Sequence, residues 1–359
     1  MLKSRRAFLE DVSFASLIAG FPAPAQAALT RYAERPPEPV FPKSLKKGDR
    51  VALVRPASPS FEYEANVMAT EIVASLGFVP MLMPNAGKRL GYLAGTDAER
   101  AADLNAAFAD PKVDAVWCLR GGYGTARILP HLDYETIRKN PKPFIGYSDI
   151  TGTLNAIHRL TGLVTFHGPV AGSMMSDYSL AAFRRVVMEG AAGRIAEPPP
   201  FTPREGSIDR ENRVWKLAGG KAKGRLVGGN LSVFSTLVGT PFEPELKGRI
   251  LFLEEIEEDP YRIDRWLTQF LLTGKLAGLS GVALGKFSDC DPAPNRDSTL
   301  LGSWNWQEVC ADRLGKLGIP VVAGLCFGHT RDKATIPVGA MAELDAEAGT
   351  LALLEPAVR

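Results

Sequence analysis

Between residues 50 and 166, short apolar, β-prone runs alternate with segments whose apolar positions recur at helical spacing. No other feature restricts the fold as much. Residues 50–55, 78–83, 113–119, the stretch at Phe144 and residues 163–166 read as strands. Residues 63–76, 97–108, 125–132 and the segment opening at Ile150 read as helices. Such alternation predicts an α/β fold with a mostly parallel, doubly wound sheet of the flavodoxin or Rossmann kind, helices covering both faces. The expected extent of this N-terminal domain is 43–190. Four prolines between Glu197 and Pro203 break the pattern and mark residues 191–213 as a linker. Residues 214–359, richer in glycine and short strands, are expected to form a smaller, mixed, β-rich α/β domain. With 359 residues and 45% hydrophobic content, the chain can bury one large core or two moderate ones.

The first 27 residues read as a targeting segment. Lys3 and the pair Arg5-Arg6 precede a mildly apolar run from Val12 to Phe21, and Ala25-Gln26-Ala27 offers a small-residue cleavage site. This is the pattern of a twin-arginine signal, which implies a periplasmic or exported protein whose mature N-terminus lies near Ala28. Glu10 and Asp11 directly before the apolar run are unusual for such a signal. Cleavage removes three cations and two anions, so the formal charge of +2 becomes +1. A nearly neutral surface gives no electrostatic reason to expect nucleic acid or an anionic membrane as partner. No stretch is long and apolar enough to span a bilayer once the signal is gone. Four scattered cysteines suit neither a disulfide framework nor a metal cluster. Cys118 and Cys326 lie in apolar runs and read as buried thiols, whereas Cys290 and Cys310 could pair in an oxidising compartment.

Ser148 stands in Phe144-Ile-Gly-Tyr-Ser-Asp-Ile-Thr151, between a β-prone run and a helical one. A serine at a strand-to-helix turn has the geometry of a nucleophile elbow. The turn lifts the hydroxyl above the sheet, and the first helical amides face a developing oxyanion. Ile150 occupies the place of the second glycine in G-x-S-x-G, and the same serine could equally be a helix N-cap. Two later strand ends bear on the choice: Arg249-Ile-Leu-Phe-Leu-Glu254-Glu255, and Val321-Val-Ala-Gly-Leu-Cys-Phe-Gly-His329. Serine, acid and histidine in that order fit the logic of a catalytic triad.

These motifs, GYSDIT, LFLEE with PYRIDR behind it, and GLCFGHT, resemble the LD-carboxypeptidase family of serine peptidases, which also includes the immunity hydrolases for microcin C. Arg120-Gly-Gly-Tyr-Gly124, Phe166-His-Gly-Pro169 and Gly228-Gly-Asn-Leu231 agree, and the similarity runs from about Leu45 to the C-terminus. The resemblance implies Ser148 as nucleophile, Glu254 as acid and His329 as base. It also implies an oxyanion hole from the amides of Gly122 and Asp149. The expected reaction is release of terminal D-alanine from a murein tetrapeptide by a homodimer, with no metal or organic cofactor. The alternatives are a hydrolase of acyl-sulfamoyl or other peptide amides, and an exported binding protein without catalysis.

Arg120, Tyr123, His167 and Asn230 are weaker candidates for substrate contact. The glycine loop of residues 121–124 could instead be a phosphate loop or a structural turn, though its spacing fits neither G-x-G-x-x-G nor the P-loop. Glu255 should point away from Glu254 across the strand. His131 and His158 fall on expected helices and read as surface or capping residues. Gly228-Gly-Asn-Leu231 either shapes the cleft floor or starts a helix, and Arg262 and Arg265 read as partners of nearby carboxylates.

Overall fold

The computed structural model describes residues 37–292 and 304–359, with a few isolated positions between 20 and 30. The expected signal segment therefore lies outside the described residues, apart from those isolated positions. The N-terminal sheet is built from β1 (Arg50–Val54), β2 (Val79–Leu82), β3 (Ala115–Cys118), β4 (Phe144–Gly146) and β5 (Thr165–His167). Helices α1 (Ala65–Ser75), α2 (Asp97–Ala109), α3 (Thr125–Ile128), α4 (Tyr134–Lys139) and α5 (Thr151–Thr161) connect them. The five strands are parallel in the order 2-1-3-4-5, the flavodoxin-like order, whose ligand crevice opens where the order reverses between β1 and β3. β1, β3, β4 and β5 are buried almost throughout, which explains why they read as continuous apolar runs.

Residues 177–183 form α6 (Asp177–Phe183), after which β6 (Gly193–Ile195), β7 (Trp215–Ala218) and β8 (Lys221–Asn230) enter a second sheet. Then come α7 (Leu231–Ser235), β9 (Arg249–Ile256), α8 (Pro260–Leu272), β10 (Gly281–Ser288), α9 (Trp306–Leu314) and β11 (Val321–Ala323). The chain closes with β12 (Ile336–Val338), β13 (Met341–Asp345) and β14 (Thr350–Leu353). The second sheet has eight strands in the order 6-14-13-8-9-10-11-7, with β8, β9, β10 and β11 parallel and the flanking strands antiparallel.

The division at the proline-rich stretch is crossed twice. β6 lies inside the expected linker yet pairs with β14, and β12 leaves the second half of the chain to extend the first sheet antiparallel to β5. The C-terminus returns as well: the Arg359 amide donates to the Pro42 carbonyl at 2.9 Å. The physical seam between the sheets is α5. Nearly all its residues are buried, and Asn155 Nδ2 donates to the carbonyl of Gly228 on β8 at 2.8 Å. Among the described residues no helix is long and apolar enough to cross a membrane.

Candidate active site

Ser148 sits where β4 gives way to a short 3-10 turn and then α5. Its φ is +64°, a left-handed conformation that few non-glycine residues hold. Such a residue costs on the order of 1–3 kcal/mol and persists only where its surroundings over-determine it. One determinant is the loop after β3. A Cβ placed on Gly121 would lie 2.9 Å from Ser148 Cβ and 3.2 Å from its Oγ, so only glycine lets that backbone approach the hydroxyl. Ile150, in place of the second glycine of the hydrolase pattern, is fully buried.

The loop of residues 120–124 is held from three sides. The Tyr123 amide donates to Ser58 Oγ at 3.0 Å, and the Ser58 amide donates to the Gly121 carbonyl at 3.2 Å. Buried Arg100 donates to the carbonyls of Gly124, at 2.9 Å, and Pro56. The buried Asp149 carboxylate accepts the Thr125 amide at 2.9 Å; burial raises its pKa and these backbone bonds oppose the rise. The loop after β3 and the turn after β4 are thereby locked together above the sheet. Arg120 and Tyr123 are exposed, Tyr123 stacking edge-on against Tyr92.

Glu254 and His329 arrive from the second sheet. Glu254, near the end of β9, is completely buried, and its Oε2 lies 2.7 Å from His329 Nδ1. Burial raises the carboxyl pKa, but His329 and His167 more than offset this and hold it at about 2. Gly328, with φ +112°, makes the approach possible, because a Cβ there would fall 2.8 Å from Glu254 Cβ. The His329 carbonyl accepts Ser288 Oγ at 2.5 Å, fixing the loop after β11 to the end of β10. The His329 ring lies 4.8 Å from that of Tyr147, the residue before Ser148. Two distant sequence segments thus meet at one place.

Other expected contacts are placed differently. His167 is buried rather than open to a cleft, and its Nε2 lies 3.5 Å from Glu254 Oε1, so Glu254 faces two imidazoles. Asn230 is also buried and caps α7, its Oδ1 accepting the Val233 amide at 3.2 Å. Its Nδ2 donates to Glu255 at 2.6 Å, and Glu255 also accepts the Ser232 amide at 2.7 Å. Glu255 therefore points away from Glu254, as strand alternation requires. Burial and the neighbouring Glu254 raise its pKa to about 7.

His158 is a correction. It is buried, not on the surface, because α5 lies between two sheets, and burial lowers its pKa to about 4. Arg262 pairs with Glu258, whereas Arg265 stacks over Tyr261. All four cysteines are buried free thiols. Sequence reasoning missed Tyr147 and Lys333; the position of Lys333, four residues after His329, was the available signal. Among the described residues no group of three or more histidine, cysteine or acidic side chains is arranged to hold a metal.

Two family models match the chain. Residues 51–168 match the LD-carboxypeptidase N-terminal domain and residues 223–344 the LD-carboxypeptidase C-terminal domain. The chain is 38% identical over 309 residues to the probable murein peptide carboxypeptidase of Bacillus subtilis, covering 85% of this chain and 91% of that protein. The crystal structure of muramoyltetrapeptide carboxypeptidase from Oxalobacter formigenes superposes with a TM-score of 0.69 at 31% identity, over 85% of this chain and 97% of the other. The microcin C7 self-immunity protein of Escherichia coli is 28% identical over 340 residues, 88% of this chain and 96% of that protein.

Proposed function

The chain belongs to the LD-carboxypeptidase family, and we propose that it is a serine peptidase that hydrolyses the L,D-amide bond of murein tetrapeptides to release the terminal D-alanine. The observation that carries this reading is the 2.7 Å contact of Glu254 with His329, whose ring packs against Tyr147, the residue before a serine in left-handed conformation. In this reading Glu254 accepts a hydrogen bond from Nδ1–H of His329, which leaves Nε2 unprotonated and able to act as base.

Ser148 Oγ attacks the amide carbonyl while His329 takes the hydroxyl proton. The amides of Gly122 and Asp149 stabilise the tetrahedral oxyanion, where loss of one donor typically lowers the rate by about 100- to 1000-fold. Collapse breaks the C–N bond, and His329 protonates the leaving D-alanine amine. Water, deprotonated by His329, then hydrolyses the acyl-serine ester and restores the hydroxyl. The left-handed backbone at Ser148 supports the role, since strain of this kind presents a side chain to the site before substrate binds.

The test is mass spectrometry of tetrapeptide, pentapeptide and tripeptide stems before and after incubation. Tetrapeptide should lose D-alanine and tripeptide should be inert. Pentapeptide should be a poor substrate, because its terminal bond joins two D-centres. Equal rates on pentapeptide and tetrapeptide, or inhibition by EDTA, would sink the assignment. Labelling of Ser148 by a fluorophosphonate separates this reading from a non-catalytic binding protein. The same proposal includes a homodimer, supported by the family resemblance, which light scattering checks. It also includes export through the twin-arginine route, supported by Arg5-Arg6 and Ala25-Gln26-Ala27.

A further inference from the structure

A carboxypeptidase must distinguish a free terminal carboxylate from an internal peptide bond, and one half-buried cation stands where that choice is made. Lys333 lies in the loop after His329, its backbone amide donating to Ser179 Oγ on α6 at 2.9 Å. Its Nζ lies 4.7 Å above the ring of Tyr147 and 3.5 Å from the Tyr147 hydroxyl. Tyr147 is adjacent to Ser148 in sequence, and its ring packs 4.8 Å from that of His329. The ammonium therefore sits within one side chain of both the serine and the histidine.

Among the described residues Lys333 makes no ion pair. The carboxylate that acts on it electrostatically is Glu254, whose oxygens already face His329 and His167. A cation that has lost much of its hydration without gaining a carboxylate is energetically incomplete, and an anionic ligand completes it. The tyrosine face beneath it holds the ammonium in place without neutralising it. Arg120 is the competing cation, but it is exposed.

We propose that Lys333 binds the terminal carboxylate of the D-residue that leaves, so that Tyr147 and Lys333 together make the enzyme an exopeptidase. This rests on the carboxypeptidase reading above. With Nζ against the side chain of Tyr147, the residue next to Ser148, a carboxylate bound there belongs to the residue beyond the amide that Ser148 attacks, and a neutral, extended chain would leave the ammonium unpaired. An anion at that position also satisfies the ammonium while the leaving amine takes its proton from His329.

The experiment compares a murein tetrapeptide ending in D-alanine with the same peptide ending in D-alaninamide, on the wild type, Lys333→Met, Lys333→Arg and Arg120→Met. The wild type should prefer the acid by at least about 10-fold in kcat/KM. Lys333→Met should raise KM for the acid by about 10- to 100-fold, the range for a lost charged hydrogen bond. It should cleave the amide at close to the wild-type rate, so that the preference disappears. Lys333→Arg should keep the preference, which also shows that the position tolerates substitution.

Equal loss on both substrates in Lys333→Met, with kcat falling and KM unchanged, would overturn the inference and point to a role in the chemistry itself. Collapse of the preference in Arg120→Met with retention in Lys333→Met would assign the carboxylate to Arg120 instead. A wild type that releases no D-alanine from the acid defeats the underlying function before the lysine is considered.

Discussion

Glu254 and Glu255 are neighbours in sequence and both buried, but Glu254 faces His329 and His167 while Glu255 bonds to Asn230 and Ser232. Replacing each with glutamine should therefore give opposite phenotypes. In Glu254→Gln an amide faces His329 Nδ1 across the present 2.7 Å contact. If the amide NH2 donates there, Nδ1 must become the acceptor and the ring proton moves to Nε2, where a base is needed. Loss of tautomer and of the charge that stabilises the imidazolium lowers kcat by about 10,000-fold in triads of this design. The stability cost is smaller. The Glu254–His329 contact is a hydrogen bond to a charged group, and losing one such bond costs about 1.5–3 kcal/mol. In a protein this large, that corresponds to a fall in Tm of no more than about 10 °C.

Glu255→Gln keeps the His329 contact untouched and loses at most one of the bonds to Asn230 and Ser232 at the start of α7. Its kcat should stay within about 10-fold of wild type, the loss coming from a shifted α7 rather than from the chemistry. The assay is D-alanine release under saturating tetrapeptide, with Tm measured on the same preparations. The reverse order of severity in kcat would refute the assignment of the acid and show that the strand register has been read one residue out.

Two further outcomes are expected. Glu255 has a folded-state pKa of about 7, above its unfolded value. The folded state therefore binds more protons between about pH 4.5 and 7, and this group makes stability fall as pH rises through that window. Chemical denaturation should show that decline in the wild type and a smaller one in Glu255→Gln; identical slopes would contradict it. Replacing Arg5 and Arg6 with lysine should hold the precursor in the cytoplasm, and normal periplasmic accumulation, followed by blotting of cell fractions, would remove the twin-arginine proposal.

Much of the first sheet was legible because its inner strands are buried on both faces and so lack the alternation that hides edge strands. The strands at 50, 79 and 115 fall within the expected runs, the one at 144 starts where expected, and the one at 165 runs one residue past its expected end. β12 was not legible: three residues with a central proline carry no periodic signal, and only the fold brings Pro337 opposite Phe166. The linker reading was blind to β6 for the same reason, since its pairing with β14 joins residues more than 150 apart.

Within the candidate site, positions at strand ends were readable but directions of side chains were not. His167 looked open because it follows a strand. Burial against Glu254 comes from the second sheet, which the first half of the sequence does not foreshadow. His158 misled in the converse way. A helix whose first turns read Thr-Gly-Thr-Leu-Asn-Ala-Ile has no charged face, and that absence of charge was the clue that both sides are covered.

The central claim is that Ser148 and His329 act as one unit, and the most direct measurement is a double-mutant cycle on D-alanine release from a murein tetrapeptide. Ser148→Ala and His329→Ala should each abolish measurable release, at a cost on the order of a million-fold in kcat, and the double variant should be little worse than either alone. Once one member is gone, the other has no proton to move or no hydroxyl to activate. Losses that multiply in the double variant would mean that the two residues work independently, and the account of this site would be wrong.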